Sequence, residues 1–289
     1  MSASHTYRGR FAPSPTGALH AGSLVAAMAS YLDARAHDGV WLVRIEDIDP
    51  PRDIPGAGED ILRTLAKLGL LSDEPVLWQH DRYDAYEKAL AFLKAKGCVY
   101  GCACSRKEAA ARATELGLAP GVYPGTCRHG TGGRPVRAIR FLTSSSPVRF
   151  TDRLCGPYEQ NVERDVGDFV LKRADGLWAY QLAAITDDLA QGVTDIVRGA
   201  DLLDNTPRQI ELIRALEGDI PRYMHLPLVL NADGQKLSKQ QGATALNPDD
   251  LKGEIERAWA HLGFESLGAD TIDAFWKTAV PLWRERYGY

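Results

Sequence analysis

The first part of the chain alternates apolar runs with turn residues in a strand, helix, strand order. Between residues 24 and 34, apolar residues recur three and four apart, which is the spacing of one helix face. Asp38-Gly39 ends this run, and residues 40–46 read Val-Trp-Leu-Val-Arg-Ile-Glu, a pattern typical of a buried strand. A helix between two such strands favours a parallel sheet with a ligand crevice at its carboxyl edge. The pattern therefore predicts an α/β fold.

The amino-acid composition limits the classes of protein to which the chain can belong. The chain has 289 residues, 45% hydrophobic and 25% charged, which excludes a disordered or fibrous protein. No apolar stretch approaches the roughly 18 residues of a membrane span, and the N-terminal residues lack the apolar core of a secretory signal. Five cysteines, two of them separated by one residue, suit a reducing compartment and a metal site better than disulfides. We expect a cytoplasmic protein with no membrane partner, and a monomer because no heptad seam is evident.

Local patterns also predict the remaining elements. Helices are expected near residues 58–68, 83–96 and 107–115. An Asp175-Gly176 turn predicts a hairpin between residues 169–171 and 178–180. A further helix follows Pro207, with Thr206 as its predicted N-cap.

The same patterns suggest where the chain divides. A Cys-, Gly- and Pro-rich stretch has few apolar residues and is typical of an insertion, and the last residues are mostly helical in pattern. The predicted segments are the first half of a main domain, an insert, the second half and a short helical C-terminal region: residues 1–97, 98–133, 134–245 and 246–289.

Two short motifs carry chemistry. His20-Ala21-Gly22-Ser23 follows a proline-rich approach and opens a helix, whose free N–H groups and dipole attract phosphate. Lys236-Leu237-Ser238-Lys239 follows an Asp-Gly turn and offers two ammonium donors to a polyphosphate. Taken singly, the first is equally a turn that feeds a helix capped by His20, and the second a solvated lysine loop.

Together, the two motifs resemble the paired HIGH and KMSKS signatures of class I aminoacyl-tRNA synthetases. Residues 10–17, Arg-Phe-Ala-Pro-Ser-Pro-Thr-Gly, resemble the opening of glutamyl-tRNA synthetases. Residues 43–49 and 196–201 and the pair Asp187-Asp188 resemble later segments of the same domain. The likeness runs from about residue 7 to residue 245. It implies a ligase with a Rossmann-like class I synthetase catalytic domain.

The chain ends soon after the second signature, where glutamyl-tRNA synthetases continue into an anticodon-binding region. With its Cys102-x-Cys104 pair, it is similar to the short, zinc-containing glutamyl-Q tRNA(Asp) synthetase family. That similarity implies ATP-dependent activation of L-glutamate without tRNA, then transfer of glutamate to the queuosine base at the wobble position of tRNA(Asp). Two alternatives stay open. One is a truncated glutamyl-tRNA synthetase that charges tRNA(Glu) or tRNA(Gln) at the acceptor end, and the other is a non-catalytic nucleotide-binding domain.

The resemblance also implies site residues. ATP, with Mg²⁺, is expected at His20, Gly22, Ser23 and Lys239, and the expected catalytic residues are His20, Lys239 and Lys236. L-Glutamate carries two carboxylates and one ammonium group, so arginines should pair with the former and a carboxylate with the latter. The candidates are Arg10 and Arg198 for the carboxylates, in an order left undecided, and Glu46 for the ammonium. The resemblance adds a lining and a hydrogen-bonding wall: Phe11, Ala12, Pro13, Ser14 and Tyr180.

The insert presents a candidate zinc site. Cys102, Cys104 and Cys127 are thiolate candidates, and structural zinc takes four ligands in tetrahedral geometry. From the residues alone the fourth ligand is His129 or Cys98, whereas the resemblance points to Tyr123. We expect one structural Zn²⁺ per chain because the insert has little apolar core of its own. The alternative is three cysteines without metal.

A tRNA partner requires contacts to phosphates, but the formal net charge of the chain is −4. We therefore expect local basic contacts rather than a broad positive surface. The candidate contributors are Arg128, Arg134, Arg137, Arg140, Arg164, Lys172 and Arg173, with Lys277, Arg284 and Arg286 near the C-terminus.

Overall fold

The computed structural model describes residues 6–229 and 244–288. The chain forms two compact units, each built from separate stretches of sequence. The first unit comprises Met1–His80, Gly192–Leu203 and Pro221–Tyr289. The second comprises Asp81–Gln191 and Asp204–Ile220. The segment boundaries predicted at residues 98, 134 and 246 stay a prediction.

Parallel strands form the centre of the first unit. The strands are β1 Arg8–Phe11, β2 Val40–Ile45, β3 Leu77–Trp78, β9 Asp195–Gly199 and β10 Arg222–Leu226. β1, β2 and β3 form one parallel sheet, and β9 pairs with β10 in parallel. Two hydrogen bonds between Arg8 and Thr194 (2.8 and 2.9 Å) place the start of β1 beside the start of β9. Because the strands run in parallel, their carboxyl ends lie at a common edge.

The helices of the first unit explain the apolar patterns. They are α1 Ala21–Ala36, α2 Ala57–Lys67, α8 Leu251–His261 and α9 Ile272–Tyr287. β1, α1 and β2 confirm the predicted strand, helix, strand order, and five of the six β2 residues are buried, as parallel strands require. The last helices pack against α1, where the Trp283 indole donates to Asp33 (3.0 Å). The C-terminal region is therefore helical, as predicted, and contributes to the core of this unit.

The second unit contains short antiparallel strands. β4 Val99–Cys102, β5 Ala138–Phe141 and β8 Val170–Lys172 form one sheet, and β6 Val148–Asp152 pairs with β7 Gly156–Gln160 as a hairpin. Its helices are α3 Tyr83–Ala95, α4 Arg106–Glu115, α5 Val162–Asp165, α6 Tyr180–Ala190 and α7 Thr206–Ala215. The described residues also contain two 3-10 helices, Gln79–Arg82 and Ala200–Asn205, and each spans a sequence boundary between the two units.

Two local predictions were wrong. The expected second hairpin strand at residues 178–180 is only an isolated bridge between Trp178 and Lys172. The chain turns into a helix immediately afterwards, because the Ala179 carbonyl already accepts hydrogen bonds from the first turn of α6, and Tyr180 begins that helix. Likewise, Asn205 rather than Thr206 is the N-cap of α7, since Thr206 is already helical.

Among residues 6–229 and 244–288, no helix has both the length and the apolar character needed to cross a lipid bilayer.

Candidate functional site

The first helix begins at His20, and the side chain of His20 caps it. The Ser23 backbone N–H donates to His20 Nδ1 (3.3 Å), and the His20 backbone N–H donates to the Ser23 hydroxyl (2.8 Å). This reciprocal pair is a capping box. Because Nδ1 accepts a hydrogen bond, a neutral imidazole in this arrangement carries its proton on Nε2. The same residue thus fixes the helix start and presents a donor on its other ring nitrogen.

A cavity of about 160 Å³ lies at this helix start. Its walls come from the first turns of α1 and from the carboxyl ends of β9 and β10. The lining residues are His20, Gly22, Ser23, Val25, Ala26, Gly199, Asp201 and residues 226–229. A Cβ at Gly199 would lie 2.5 Å from Asp201 Oδ1, so a larger residue here would displace the Asp201 side chain at the cavity wall. Free N–H groups at a helix N-terminus beside a small cavity suit a phosphate-bearing ligand.

The second signature loop, with Lys236 and Lys239, lies outside the described residues. The structure shows where the chain goes shortly afterwards. Ala245 forms an antiparallel bridge with His20, and the Leu246 N–H donates to the Leu19 carbonyl (3.0 Å). The segment that follows the loop is therefore hydrogen-bonded to the residues that begin α1.

The predicted glutamate residues at the ends of β1 and β2 occur together in the first unit. Arg10 lies in β1 and is 5% exposed, and Glu46 follows β2 and is 8% exposed. The Glu46 N–H donates to the Pro13 carbonyl (3.0 Å), which ties the segment after β1 to the end of β2. Of that segment, Phe11 and Pro13 are buried, whereas Ser14 is exposed.

A buried arginine that the sequence analysis did not single out accompanies Glu46. Arg44 is fully buried, and its Nη2 donates to Glu46 Oε1 (3.1 Å). Such a pair holds the carboxylate in one orientation, and removing either partner takes a counter-charge from the buried residue that remains. Two sequence signals point to Arg44: a charged residue inside an otherwise apolar strand, and its place within residues 43–49, which resemble the synthetase family.

Arg198 lies in β9 and is also buried. Its Nε contacts His225 Nε2 (3.1 Å), its Nη2 donates to the Leu202 carbonyl (3.4 Å), and its guanidinium carbon lies 5.6 Å from the Tyr223 ring centroid. His225 and Arg198 are register partners in β10 and β9. Arg10 and Arg198 are thus held by neighbouring strands of the first unit. Tyr180, by contrast, belongs to the second unit.

The three predicted cysteine ligands come together in the second unit. The sulfur atoms of Cys102, Cys104 and Cys127 all lie within 4.8 Å of one another, and the group could hold a metal ion. The Tyr123 hydroxyl lies 3.3 Å from Cys102 Sγ and 3.9 Å from Cys104 Sγ. It also accepts a hydrogen bond from the Cys127 N–H (3.1 Å). Neither Cys98 nor His129 belongs to the group among the residues that the structure describes.

The electrostatics of this cysteine cluster favour one thiolate. Burial opposes ionisation of Cys127, but hydrogen bonds from the Ala103 N–H and the Tyr123 hydroxyl lower its pKa to about 7. Burial and a hydrogen bond with Cys127 raise the pKa of Cys104 to about 11, and burial also raises the pKa of Tyr123. Three sulfurs and one oxygen around a common point match the donor number of a tetrahedral cation site.

A buried ionic network supports the chain just after the last cysteine. Arg128 donates two hydrogen bonds to the fully buried Asp168 (both 2.6 Å) and also pairs with Glu163. Asp168 further accepts from the Thr143 N–H (2.9 Å) and from the Tyr100 hydroxyl. Hydrogen bonds from Arg128 and Tyr100 outweigh burial and hold the pKa of Asp168 below its usual value. Arg128, a candidate for RNA contact, is thus already bound by two carboxylates.

Most of the predicted RNA-contacting cations already have acidic partners. The ion pairs are Arg128–Asp168, Arg134–Glu108, Arg164–Asp165, Lys172–Glu87, Arg173–Asp175, Lys277–Asp273 and Arg284–Asp38. Arg286 donates to the Gly263 carbonyl (2.9 Å). Arg137 is exposed and has no ion pair within the described parts of the chain. These partners offset part of the positive charge that the paired residues would offer to RNA phosphates.

Comparison with known proteins identifies the family. The family model for tRNA synthetases class I (E and Q), catalytic domain, matches residues 6–262. A glutamyl-Q tRNA(Asp) synthetase of Burkholderia cenocepacia is 54% identical over 98% of this chain and 97% of its own length. One of Leptothrix cholodnii is 56% identical over 96% of both chains.

A solved structure supports the same family. A glutamate tRNA ligase from Elizabethkingia meningosepticum, crystallised in complex with its amino acid, superposes with a TM-score of 0.71 at 28% identity. The match covers 82% of this chain but only 52% of that chain, so this chain spans about half the length of that ligase. The chain therefore belongs to the glutamyl-Q tRNA(Asp) synthetase family of class I tRNA synthetases, and it is a ligase.

Proposed function

We propose that this enzyme activates L-glutamate with ATP, without tRNA, and then transfers glutamate to the queuosine base at the wobble position of tRNA(Asp). The observation that carries the proposal is the pattern of coverage. The match with the glutamyl-Q tRNA(Asp) synthetase of Burkholderia cenocepacia covers 97% of that protein's length. The match with the glutamate tRNA ligase covers only 52% of the ligase. The proposed setting is the cytoplasm, with the enzyme as a monomer.

In the proposed ATP site, the phosphates meet the start of α1. His20, Gly22 and Ser23 line the cavity there, and the imidazole presents Nε2–H as a donor. Lys239 and Lys236 would add charge to the same phosphates, with Mg²⁺ as the usual counter-ion of ATP. A fixed donor aimed at charge that develops in the transition state contributes about 3–4 kcal/mol.

In the proposed amino-acid site, the guanidiniums of Arg10 and Arg198 bind the carboxylates of glutamate. Glu46 binds the ammonium group, and its orientation by the buried Arg44 supports this role. The remaining proposed contacts are the lining by Phe11, Ala12, Pro13 and Ser14 and a hydrogen bond from Tyr180.

The proposed reaction has two steps. An oxygen of the glutamate α-carboxylate attacks the α-phosphorus of ATP, a new P–O bond forms, and pyrophosphate leaves as the old P–O bond breaks. A hydroxyl of the queuosine base then attacks the activated carbonyl, its proton is lost to solvent or a nearby base, and AMP leaves. The residues of this site act by alignment and charge neutralisation.

We also propose that Cys102, Cys104, Cys127 and Tyr123 hold one Zn²⁺. The mutual approach of the three sulfurs and of the Tyr123 hydroxyl supports this ligand set. When bound, the cation would supply structural cross-linking to an insert with little apolar core. Zinc analysis of freshly purified protein should give one equivalent per chain, and removal by a chelator should lower the unfolding temperature.

The transfer step is tested with labelled glutamate. The enzyme is incubated with ATP and either queuosine-containing tRNA(Asp), queuosine-free tRNA(Asp) or tRNA(Glu). We expect label only on the first, together with glutamate-dependent pyrophosphate exchange in the absence of tRNA. Label on tRNA(Glu) would instead support a truncated glutamyl-tRNA synthetase, and the absence of any exchange would support a non-catalytic domain.

A further inference from the structure

Arg140 lies against the tyrosine of the cysteine cluster. Its guanidinium carbon is 3.5 Å from the centroid of the Tyr123 ring, well within the range of a cation–π contact. Arg140 belongs to β5, and its Nη1 donates to the Asp168 carbonyl (2.6 Å), which fixes the guanidinium plane. The position of the guanidinium is therefore set by the sheet.

Arg140 differs from the other cations near the cluster. Arg128 is neutralised by Asp168 and Glu163, and Arg134 by Glu108. Within the described residues, Arg140 forms no ion pair, and its Nε is buried without a hydrogen-bond partner. No carboxylate of the described residues therefore neutralises this guanidinium, and its face lies against the Tyr123 ring.

The cluster supplies the complementary charge. Three thiolates and a phenol oxygen around one divalent cation carry more negative charge than the cation neutralises. Cys102 and Cys127 are 0% and 4% exposed, so water offsets little of it. A neighbouring cation therefore stabilises the metal-bound form of the site more than the empty form.

We propose that Arg140 is the outer-sphere partner of the metal site and acts through Tyr123. It holds the ring in the plane that directs the hydroxyl toward Cys102 and Cys104, and its charge offsets that of the loaded cluster. This inference rests on the proposed zinc site and names a positioning residue, which itself contacts no metal. Groups in this position typically alter metal affinity 10–100-fold.

The test measures zinc affinity by competition with a chromophoric chelator. Arg140→Gln should bind zinc about 10–100-fold more weakly than the unmodified protein. Arg140→Lys keeps the charge but loses the planar stack, and should recover part of the loss. The matched control is Arg112→Gln, which removes a cation of α4 that pairs with Glu115 (2.9 Å) and should leave affinity unchanged.

A double-mutant cycle separates this role from a merely structural one. In a Tyr123→Phe background the ligand oxygen is already absent and only the charge effect remains, so Arg140→Gln should cost less affinity there than in the unmodified protein. Cobalt substitution gives a second readout, because loss of the oxygen ligand changes the visible spectrum of a tetrahedral Co²⁺ site.

Two results would overturn the inference: equal affinity of Arg140→Gln and Arg112→Gln, or equal losses from Arg140→Gln in both backgrounds. If the unmodified protein binds neither Zn²⁺ nor Co²⁺, the proposed metal site itself is wrong, and this inference fails with it. That outcome is distinguished from the other two because it appears before any substitution is made.

Discussion

His20 is the N-cap of α1 and also lines the cavity proposed to bind ATP, and two substitutions separate these roles. Alanine removes both the Nδ1 acceptor that caps the helix and the Nε2 donor proposed to bind the phosphates. Asparagine is among the best N-cap residues, and its side-chain oxygen can accept the Ser23 N–H that now binds Nδ1 (3.3 Å). Asparagine is too short to replace Nε2.

The two roles differ in expected magnitude. Loss of an N-cap costs about 1 kcal/mol, which lowers the unfolding temperature of a domain of about 150–250 residues by roughly 2–4 °C. Loss of a donor aimed at transition-state charge costs about 3–4 kcal/mol, or roughly 10²–10³ in rate. His20→Ala should therefore show both losses, whereas His20→Asn should show only the loss of rate.

The assays are thermal unfolding and glutamate-dependent pyrophosphate exchange on the same preparations. Thr271→Ala is the matched control, because Thr271 caps α9 through the Ala274 N–H (3.1 Å) and takes no part in the cavity. It should lose stability without losing exchange. If His20→Asn exchanges pyrophosphate at the unmodified rate, His20 is only a helix cap, and the argument for its catalytic role is wrong.

Three further substitutions test other parts of the structure. Arg10→Ala should abolish pyrophosphate exchange while the unfolding transition persists, because truncating a buried charged partner of a ligand costs about 2–5 kcal/mol of binding. Near-normal exchange would exclude Arg10 from the glutamate site. Gly199→Ala places a Cβ 2.5 Å from Asp201 Oδ1 at the cavity wall. It should raise the KM for ATP and leave the circular dichroism spectrum unchanged, and an unaltered KM would argue against the cavity as the ATP site. Burial raises the pKa of Glu211 to about 7, so its contribution to stability is full at acidic pH and is lost as the pH rises through 7. Glu211→Gln should therefore be more stable than the unmodified protein at pH 8.5 but not at pH 4. If the two proteins unfold at the same temperature at pH 8.5 as well as at pH 4, this prediction is wrong.

Local patterns predicted much of the first unit because its elements are encoded over short distances. The strand, helix, strand order, the start of α1 at His20 and the C-terminal helices all follow from apolar spacing and capping residues within a few turns. The Cys102-x-Cys104 pair likewise indicated where a cluster would form. These features require no knowledge of which distant segments meet.

Pairings between distant segments were not predictable in this way. Arg198 meets His225 only because β9 and β10 pair in one particular register, and a shift of one residue would turn either side chain to the opposite face. The partners of Arg128 and Arg140, two of the candidate RNA-contacting residues, were not predictable for the same reason, since tertiary packing brings Asp168 and Tyr123 to them.

The two units hold their functional side chains by different physical means. In the first, a ladder of parallel strands and a capped helix fix the positions of Arg10, His20 and Arg198 through backbone hydrogen bonds. In the second, α4 buries only Ala113, and the apolar cluster around the cysteines is small. The small apolar area buried there stabilises the fold little, so hydrogen bonds, ion pairs and the cysteine cluster must hold the insert in place. Because the ionic network at Asp168 and the cysteine cluster act on adjacent residues, Arg128 and Cys127, their contributions to stability should be coupled and not additive.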